Sequence, residues 1–140
     1  MGFRNGGGGI NATTRMTREA TDDELGEQSK KRLDSFLQHG VTTVEGKSGY
    51  GLDLENELKQ LRVMKRLQNE HPIDLIPTFM GAHAVPTDYK GREEEFVDLI
   101  INEMLPAVGN EKLDVFNDVF CDVGVFTHEQ SERILEACKK

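Results

Sequence analysis

Positive charge is scarce in this chain: 17 basic side chains stand against 25 acidic ones, a net charge of −8. Nucleic acids and anionic membrane surfaces both recruit cationic patches, so neither is expected as the main partner. Long apolar runs are missing too. No stretch approaches the roughly 20 residues that span a bilayer, and Met1-Gly2-Phe3-Arg4-Asn5 lacks the apolar core of a signal peptide. A cytoplasmic location is the expectation. Cysteine is limited to Cys121 and Cys138, without Cys-x-x-Cys spacing. A disulfide is not expected in a reducing compartment, which leaves two buried or partly buried thiols. No His-x-His and no His-Glu-x-x-His occurs, so no local motif supplies the three protein ligands of a catalytic zinc.

What remains is enough for one soluble domain. The chain has 140 residues, 36% hydrophobic and 30% charged, and a domain of that size buries about two-thirds of its unfolded surface. Residues 1–20 read as a glycine-rich connector, with an unbroken run from Gly6 to Gly9. The run lacks Gly-x-x-x-x-Gly-Lys-Ser/Thr and no strand precedes it, which argues against a phosphate loop. Thr21-Asp22-Asp23-Glu24 is a capping box. The helix it opens carries Leu25, Leu33, Phe36 and Leu37 and stops at Gly40. Val41 to Lys47 is short and β-branched, hence a strand. A helix over 54–70 has apolar residues at three- and four-residue spacing and ends at His71-Pro72.

Ile73 to Phe79 is nearly continuous in apolar residues, as in a strand buried on both faces. Phe96, Leu99, Ile100 and Met104 mark a third helix, which Pro106 is expected to close. Asp114 to Cys121 is the third strand. Thr127-His128-Glu129-Gln130 is a second capping box, opening a last helix expected to run to Lys140. Alternation of helix and strand at this spacing implies right-handed crossovers and a parallel sheet. The fold class is therefore α/β, and three βα units over residues 21–140 look like a segment of a (β/α)8 barrel, which needs about 250 residues in full.

In such folds the chemistry sits at the carboxyl ends of the strands. Tyr50, in Lys47-Ser48-Gly49-Tyr50-Gly51, and His83, in Met80-Gly81-Ala82-His83-Ala84, each follow a strand and share that rim. Glycines on both sides let the backbone turn and carry the Tyr50 phenol outward as a hydrogen-bond donor. A packing role for Tyr50 is the alternative. For His83, the small neighbours Gly81, Ala82 and Ala84 leave room for a ligand. His39 reads as a helix-end cap, His71 lies at the opposite rim, and His128 follows a capping threonine. Cys121 shares the rim with His83, but two distant candidates do not make a metal site. Lys47 reads as a surface lysine ahead of a Schiff-base or carbamate role. Asp53 and Glu55 read as helix-start acids, and of Asp118 and Asp122 the latter is the better rim candidate.

At these motifs the sequence resembles the imidazolonepropionase family, cyclic-amide hydrolases of histidine degradation in the amidohydrolase superfamily. The stretches that carry the resemblance are Gly7-Gly8-Gly9-Ile10 with Thr13-Thr14-Arg15, and Val41-Thr42-Thr43-Val44-Glu45-Gly46-Lys47-Ser48-Gly49-Tyr50-Gly51-Leu52. It continues through Phe79-Met80-Gly81-Ala82-His83-Ala84-Val85-Pro86, Asp88-Tyr89-Lys90-Gly91, Met104-Leu105-Pro106, Val119-Phe120-Cys121 and Glu129-Gln130-Ser131. The resemblance implies a metal-dependent (β/α)8 (TIM) barrel beside a small β-sandwich, with one zinc or iron ion. It also implies the ring-opening of 4-imidazolone-5-propanoate by water to N-formimidoyl-L-glutamate. Tyr50 and His83 would be its substrate-binding residues.

In that chemistry a metal-bound hydroxide attacks the ring carbonyl, and His83 acts as a catalytic group supporting the oxyanion. The family's His-x-His pair is expected ahead of the glycine run, and its later metal histidine after the last helix, so no metal ligand is expected within these residues. Met1-Gly2-Phe3-Arg4 departs from the family pattern. A piece of such an enzyme, inactive alone and possessed of a homodimeric parent or not, is the first expectation. A non-catalytic α/β binding module and another cyclic-amide amidohydrolase are the alternatives.

Overall fold

The computed structural model describes residues 9–139. Three strands, β1 (Thr43–Lys47), β2 (Asp74–Ala82) and β3 (Phe116–Val119), form one parallel sheet in the order β1-β2-β3. Thr43 pairs with Asp74 and Lys47 with Thr78, and Thr78 in turn pairs with Phe116. The helices are α1 (Ile10–Glu19), α2 (Asp22–Gln38), α3 (Leu54–Glu70), α4 (Glu93–Leu99), α5 (Leu105–Glu111) and α6 (His128–Ala137). Both expected capping boxes form: Thr21 and Glu24 open α2, and Thr127 and Gln130 open α6. In each, the threonine hydroxyl accepts an N3 amide while the N3 side chain accepts the amide of the cap, so two orphan donors are satisfied together.

The helices cover one face of the sheet. Leu58, Leu61, Phe79, Phe96, Ile100 and Met104 are buried there in the main core, and Leu33, Val63, Leu67, Ile73 and Leu75 form a second cluster under α2 and α3. Phe79 and Phe96 are completely enclosed, which stabilises the fold by about 2 kcal/mol each relative to exposure. The other face is open among the described residues. Thr43, Glu45 and Lys47 alternate outward along β1, and Phe116 of β3 is 57% exposed. On β2 the open-side residues Ile76 and Met80 are only half-buried, so this strand is not covered on both faces as its apolar run suggested. These residues make a three-stranded parallel sheet; they do not by themselves close a barrel.

The strands differ from the sequence reading by up to three residues at their ends, and three helical boundaries differ for physical reasons. The connector assigned up to residue 20 carries α1 from Ile10 onward, while residues 1–8, with Gly6 to Gly8, lie outside the described residues. Thr14 and Thr17 of α1 are buried and Ile10 packs on the main core; tertiary burial outweighs the weak local helix signal. Lys59 Nζ of α3 donates to the carbonyls of Arg18 (3.2 Å) and Ala20 (2.8 Å), satisfying the C-terminal end of α1. Pro106 does not end the third helix. A π turn at Ile100–Met104 joins α4 to α5, and Pro106 falls in the first turn of α5. The wider turn accommodates a ring that would collide with the carbonyl four residues back in a regular α-helix. The last helix ends at Ala137, with Cys138 as its cap, rather than at Lys140.

Candidate functional site

The loop after β1 is fixed by hydrogen bonds from three directions. The Ser48 amide donates to Thr78 O (3.0 Å), and the Ser48 hydroxyl accepts the Met80 amide (2.9 Å), extending the β1–β2 ladder by a side chain. From α3, the buried Glu57 carboxylate accepts the amides of Gly49 (2.9 Å), Gly51 (2.8 Å) and Leu52 (2.9 Å). From α1, Arg18 Nε donates to Gly51 O (2.7 Å) and Nη2 to Leu52 O (3.2 Å), and Nε lies 3.0 Å from Asp53 Oδ2. Leu52 is held at φ +54 and is 1% exposed, a left-handed conformation that costs a non-glycine residue roughly 1–2 kcal/mol.

Glycine is required on both sides of Tyr50, for different reasons. Gly49 has φ +98, and a Cβ there would lie 2.8 Å from Met80 O and 2.9 Å from His83 Cβ. At Gly51 a Cβ would lie 2.4 Å from the Asn56 carbonyl carbon, so the loop is pressed against the start of α3.

A β-bulge aims His83. Phe79 pairs with Asn117 but Ala82 with Val119, so β2 holds one more residue than β3 across this interval. By strict alternation position 83 would share the helix side with Phe79 and Gly81. The extra residue reverses the parity beyond it, a recurrent use of bulges beside functional sites. Gly81 and Ala82 are then both buried in the core. A Cβ at Gly81 would meet the Phe79 ring at 2.4 Å; this glycine makes room for Phe79 rather than for a ligand, correcting the sequence reading.

The structure brings Tyr50 and His83 together. Their rings meet edge to face, with centroids 5.0 Å apart and planes at 88°. On the other side of His83 stands Phe120, just past β3, at 6.0 Å between centroids. Three successive strand ends therefore present Tyr50, His83 and Phe120 in a row. His83 Nδ1 lies 2.8 Å from Gly49 O. A carbonyl only accepts, so Nδ1 carries a proton and Nε2 is the ring atom left for a ligand.

Below this row runs a polar lattice on the open face. Lys47 Nζ donates to Asp118 Oδ2 (2.6 Å) and lies 3.9 Å from Glu45 Oε1, which accepts the Thr78 hydroxyl (2.7 Å). The Lys47 hydrogen bond holds the Asp118 carboxyl below its usual range, and the same bond raises the Lys47 ammonium. Lys47 is thus paired and charged, against a Schiff-base role.

The remaining candidates lie elsewhere. His39 Nδ1 is 2.7 Å from Ser35 O at the end of α2. His71 accepts the Ile73 amide on Nδ1 (3.2 Å) and sets Nε2 3.1 Å from Asp34 Oδ1 at the amino-terminal rim. His128 is exposed in the first turn of α6. Asp53 caps α3 by accepting the Asn56 amide (2.8 Å), and Asp122 accepts the adjoining Val123 amide (2.7 Å). As residues both cysteines are exposed, Cys121 in the loop after β3 and Cys138 at a helix end, where its sulfur is part-buried as the sequence reading allowed. Cys138 donates to Ile134 O (3.1 Å), and burial of its sulfur, with the Asp114 charge, pushes the thiol up to about 11.

A cleft of about 960 Å³ lies between Thr87, Lys90 and the Cys121–His128 loop, and neither Tyr50 nor His83 lines it. Among the described residues no cluster of three His, Cys, Asp or Glu could hold a metal ion. Sequence reading passed over Glu57, Arg18 and Phe120. Only Phe120 carried a signal, its place at a strand end, because the other two act through backbone atoms that no side-chain motif reveals.

No protein-family model matches the chain. Among curated proteins it is 65% identical over 137 residues to an imidazolonepropionase of Brevibacillus brevis, covering 98% of this chain and 32% of that protein. Identity is 61% over 140 residues to an imidazolonepropionase of Clostridium tetani (100% of this chain, 33% of that protein). It is 58% over 139 residues to one of Geobacillus kaustophilus (99% and 33%). The chain spans about a third of the length of the curated relatives it matches.

Proposed function

We propose that this chain supplies the substrate-contacting part of an imidazolonepropionase, with residues 21–140 as three βα units of a (β/α)8 barrel. The supporting observation is the meeting of Tyr50 and His83 at the carboxyl rim, in a chain 56–65% identical to proteins of that name. Its substrate would be 4-imidazolone-5-propanoate, opened by water to N-formimidoyl-L-glutamate in a cytoplasmic histidine-degrading enzyme.

The roles follow from the atoms. With Nδ1–H committed to Gly49 O, a neutral His83 offers Nε2 as an acceptor, for instance to a substrate N–H. To donate to an oxyanion it must hold a second proton, as the imidazolium. The Tyr50 hydroxyl donates to a substrate carbonyl or carboxylate, and its ring edge keeps the imidazole upright. Phe120 closes the far side of His83 with an apolar wall.

The family's zinc or iron supplies an activated water when bound. The described residues do not fit it: His83 could offer Nε2 alone, His71 is buried against Asp34 at the other rim, and no three donors converge among the described residues. Its ligands are assigned to residues beyond these.

A graft tests the reading. The matching third of the Brevibacillus brevis protein is replaced by this chain and ring opening is assayed. Hydrolysis should persist, and His83→Ala should lower kcat/KM by about 10²–10³-fold, the usual cost of losing an oxyanion donor. A folded graft that is inactive, while the unaltered relative is active, would favour a binding module. Equilibrium dialysis of this chain alone against zinc should show no stoichiometric binding; one tight, His83-dependent zinc would overturn the ligand assignment.

A further inference from the structure

We infer that Glu57 is a positioning residue for Tyr50 and His83, setting both through the Ser48–Leu52 backbone without touching a ligand. The inference rests on the reading of those two side chains as substrate contacts, but the positioning itself is measurable without substrate.

Glu57 is 0% exposed, and its two oxygens receive three backbone amides, Gly49 on Oε2 and Gly51 and Leu52 on Oε1. Gln60 Nε2 adds a longer contact at 3.4 Å. Among the described residues no Lys or Arg is bonded to the carboxylate. Buried acids are normally paired with a cation; this one is compensated by loop amides and by the amino-terminal turn of α3, where it sits. The amides it holds bracket Tyr50 on both sides. The first of them belongs to Gly49, whose carbonyl fixes His83 Nδ1. A single side chain thereby sets the Tyr50 ring and the proton on the His83 ring.

Arg18 grips the same loop by its carbonyls, so the Gly51–Leu52 peptide is held from opposite sides, its carbonyl by Arg18 and its amide by Glu57. Glutamine at position 57 would retain one acceptor oxygen and turn an NH₂ toward backbone N–H groups. The Gly49 amide, held by the other oxygen, is the one released, and the carbonyl that holds His83 is joined to it through the Gly49 α-carbon.

The readout is the tautomer of His83, observed by ¹⁵N NMR of the full chain at a pH where the ring is neutral. His83 should be protonated on Nδ1. His71, whose Nδ1 accepts the Ile73 amide, should be protonated on Nε2 and serves as internal reference. In Glu57→Gln, His83 should shift toward the Nε2–H form while His71 stays unchanged. A merely structural role would lower the melting temperature and leave the His83 tautomer alone. A folded Glu57→Gln chain with His83 still on Nδ1–H overturns the proposal.

If that variant does not fold, the wild-type chain decides. The Gly49, Gly51 and Leu52 amides should exchange at least about 100-fold slower than free peptide, and exchange at unprotected loop rates overturns the proposal. A tautomer shift in a chain whose graft is inactive keeps the positioning and removes only the functional reading.

Discussion

Gly49 and Gly40 both have positive φ, +98 and +84, yet alanine should affect them differently. At Gly40 nothing lies within 4 Å of a built Cβ, so Gly40→Ala costs only the left-handed backbone, about 1 kcal/mol. At Gly49 the Cβ would also press on Met80 O and His83 Cβ. Gly49→Ala should therefore cost at least about 2 kcal/mol, adding overpacking to strain, and should displace the His83 ring. Urea denaturation of both variants measures the difference; equal costs would mean that Gly49 and His83 are not packed as described. The glycines flanking Tyr50 were legible in the sequence as a sharp turn. Their second reason was not, because contact between Gly49 and His83 joins residues on different βα units. Glu57 was invisible for a related reason: along the sequence it is one more acid near a helix start, like Glu55, and only the returning loop distinguishes them.

Elements were more legible than the contacts between them. The α3 boundaries follow from leucine spacing and from His71-Pro72, and the caps of α2 and α6 from their Thr-x-x-Glu/Gln boxes, since these signals are local. The π turn before Pro106 and the bulge in β2 were not legible. Each inserts a residue into a regular repeat, and a periodic pattern cannot say where a register slips. The strands are also tied across the sheet, since Lys47 of β1 reaches over β2 to Asp118 of β3.

This tie makes stability depend on pH with a definite sign. The Asp118 carboxyl is held below its usual range by the Lys47 hydrogen bond. Its contribution is present above the ordinary aspartate value and is lost as pH falls through the depressed one. Asp118→Asn should therefore lower the melting temperature near neutrality, and the gap from wild type should narrow on acidification. Both groups are part-exposed, so added salt should shrink the effect. A gap that is constant down to pH 3 would mean that the pair is not formed.

At the scale of the molecule, the dominant feature is a parallel sheet with one bare face. Parallel sheets are ordinarily covered on both sides, and here Phe116 at 57% and Phe120 at 37% exposure stand on or beside the open one. β1 and β3 also leave unpaired ladder edges among the described residues, which are templates for further pairing. The net charge of −8 opposes association, and the Glu45–Lys47–Asp118 lattice makes the bare face partly polar, but neither covers the Phe116 ring. This chain alone is therefore expected to self-associate in a concentration-dependent way, at the open face and edges, and to melt with low cooperativity. Sedimentation velocity across a hundredfold range of concentration, beside calorimetry, tests this. Phe116→Ser should shift the distribution toward monomer without altering the helical signal, because the residue packs on nothing in the core. A sharply melting monomer at every concentration would show that the polar lattice suffices to keep the face in water, and would favour a self-standing module over one wall of a barrel.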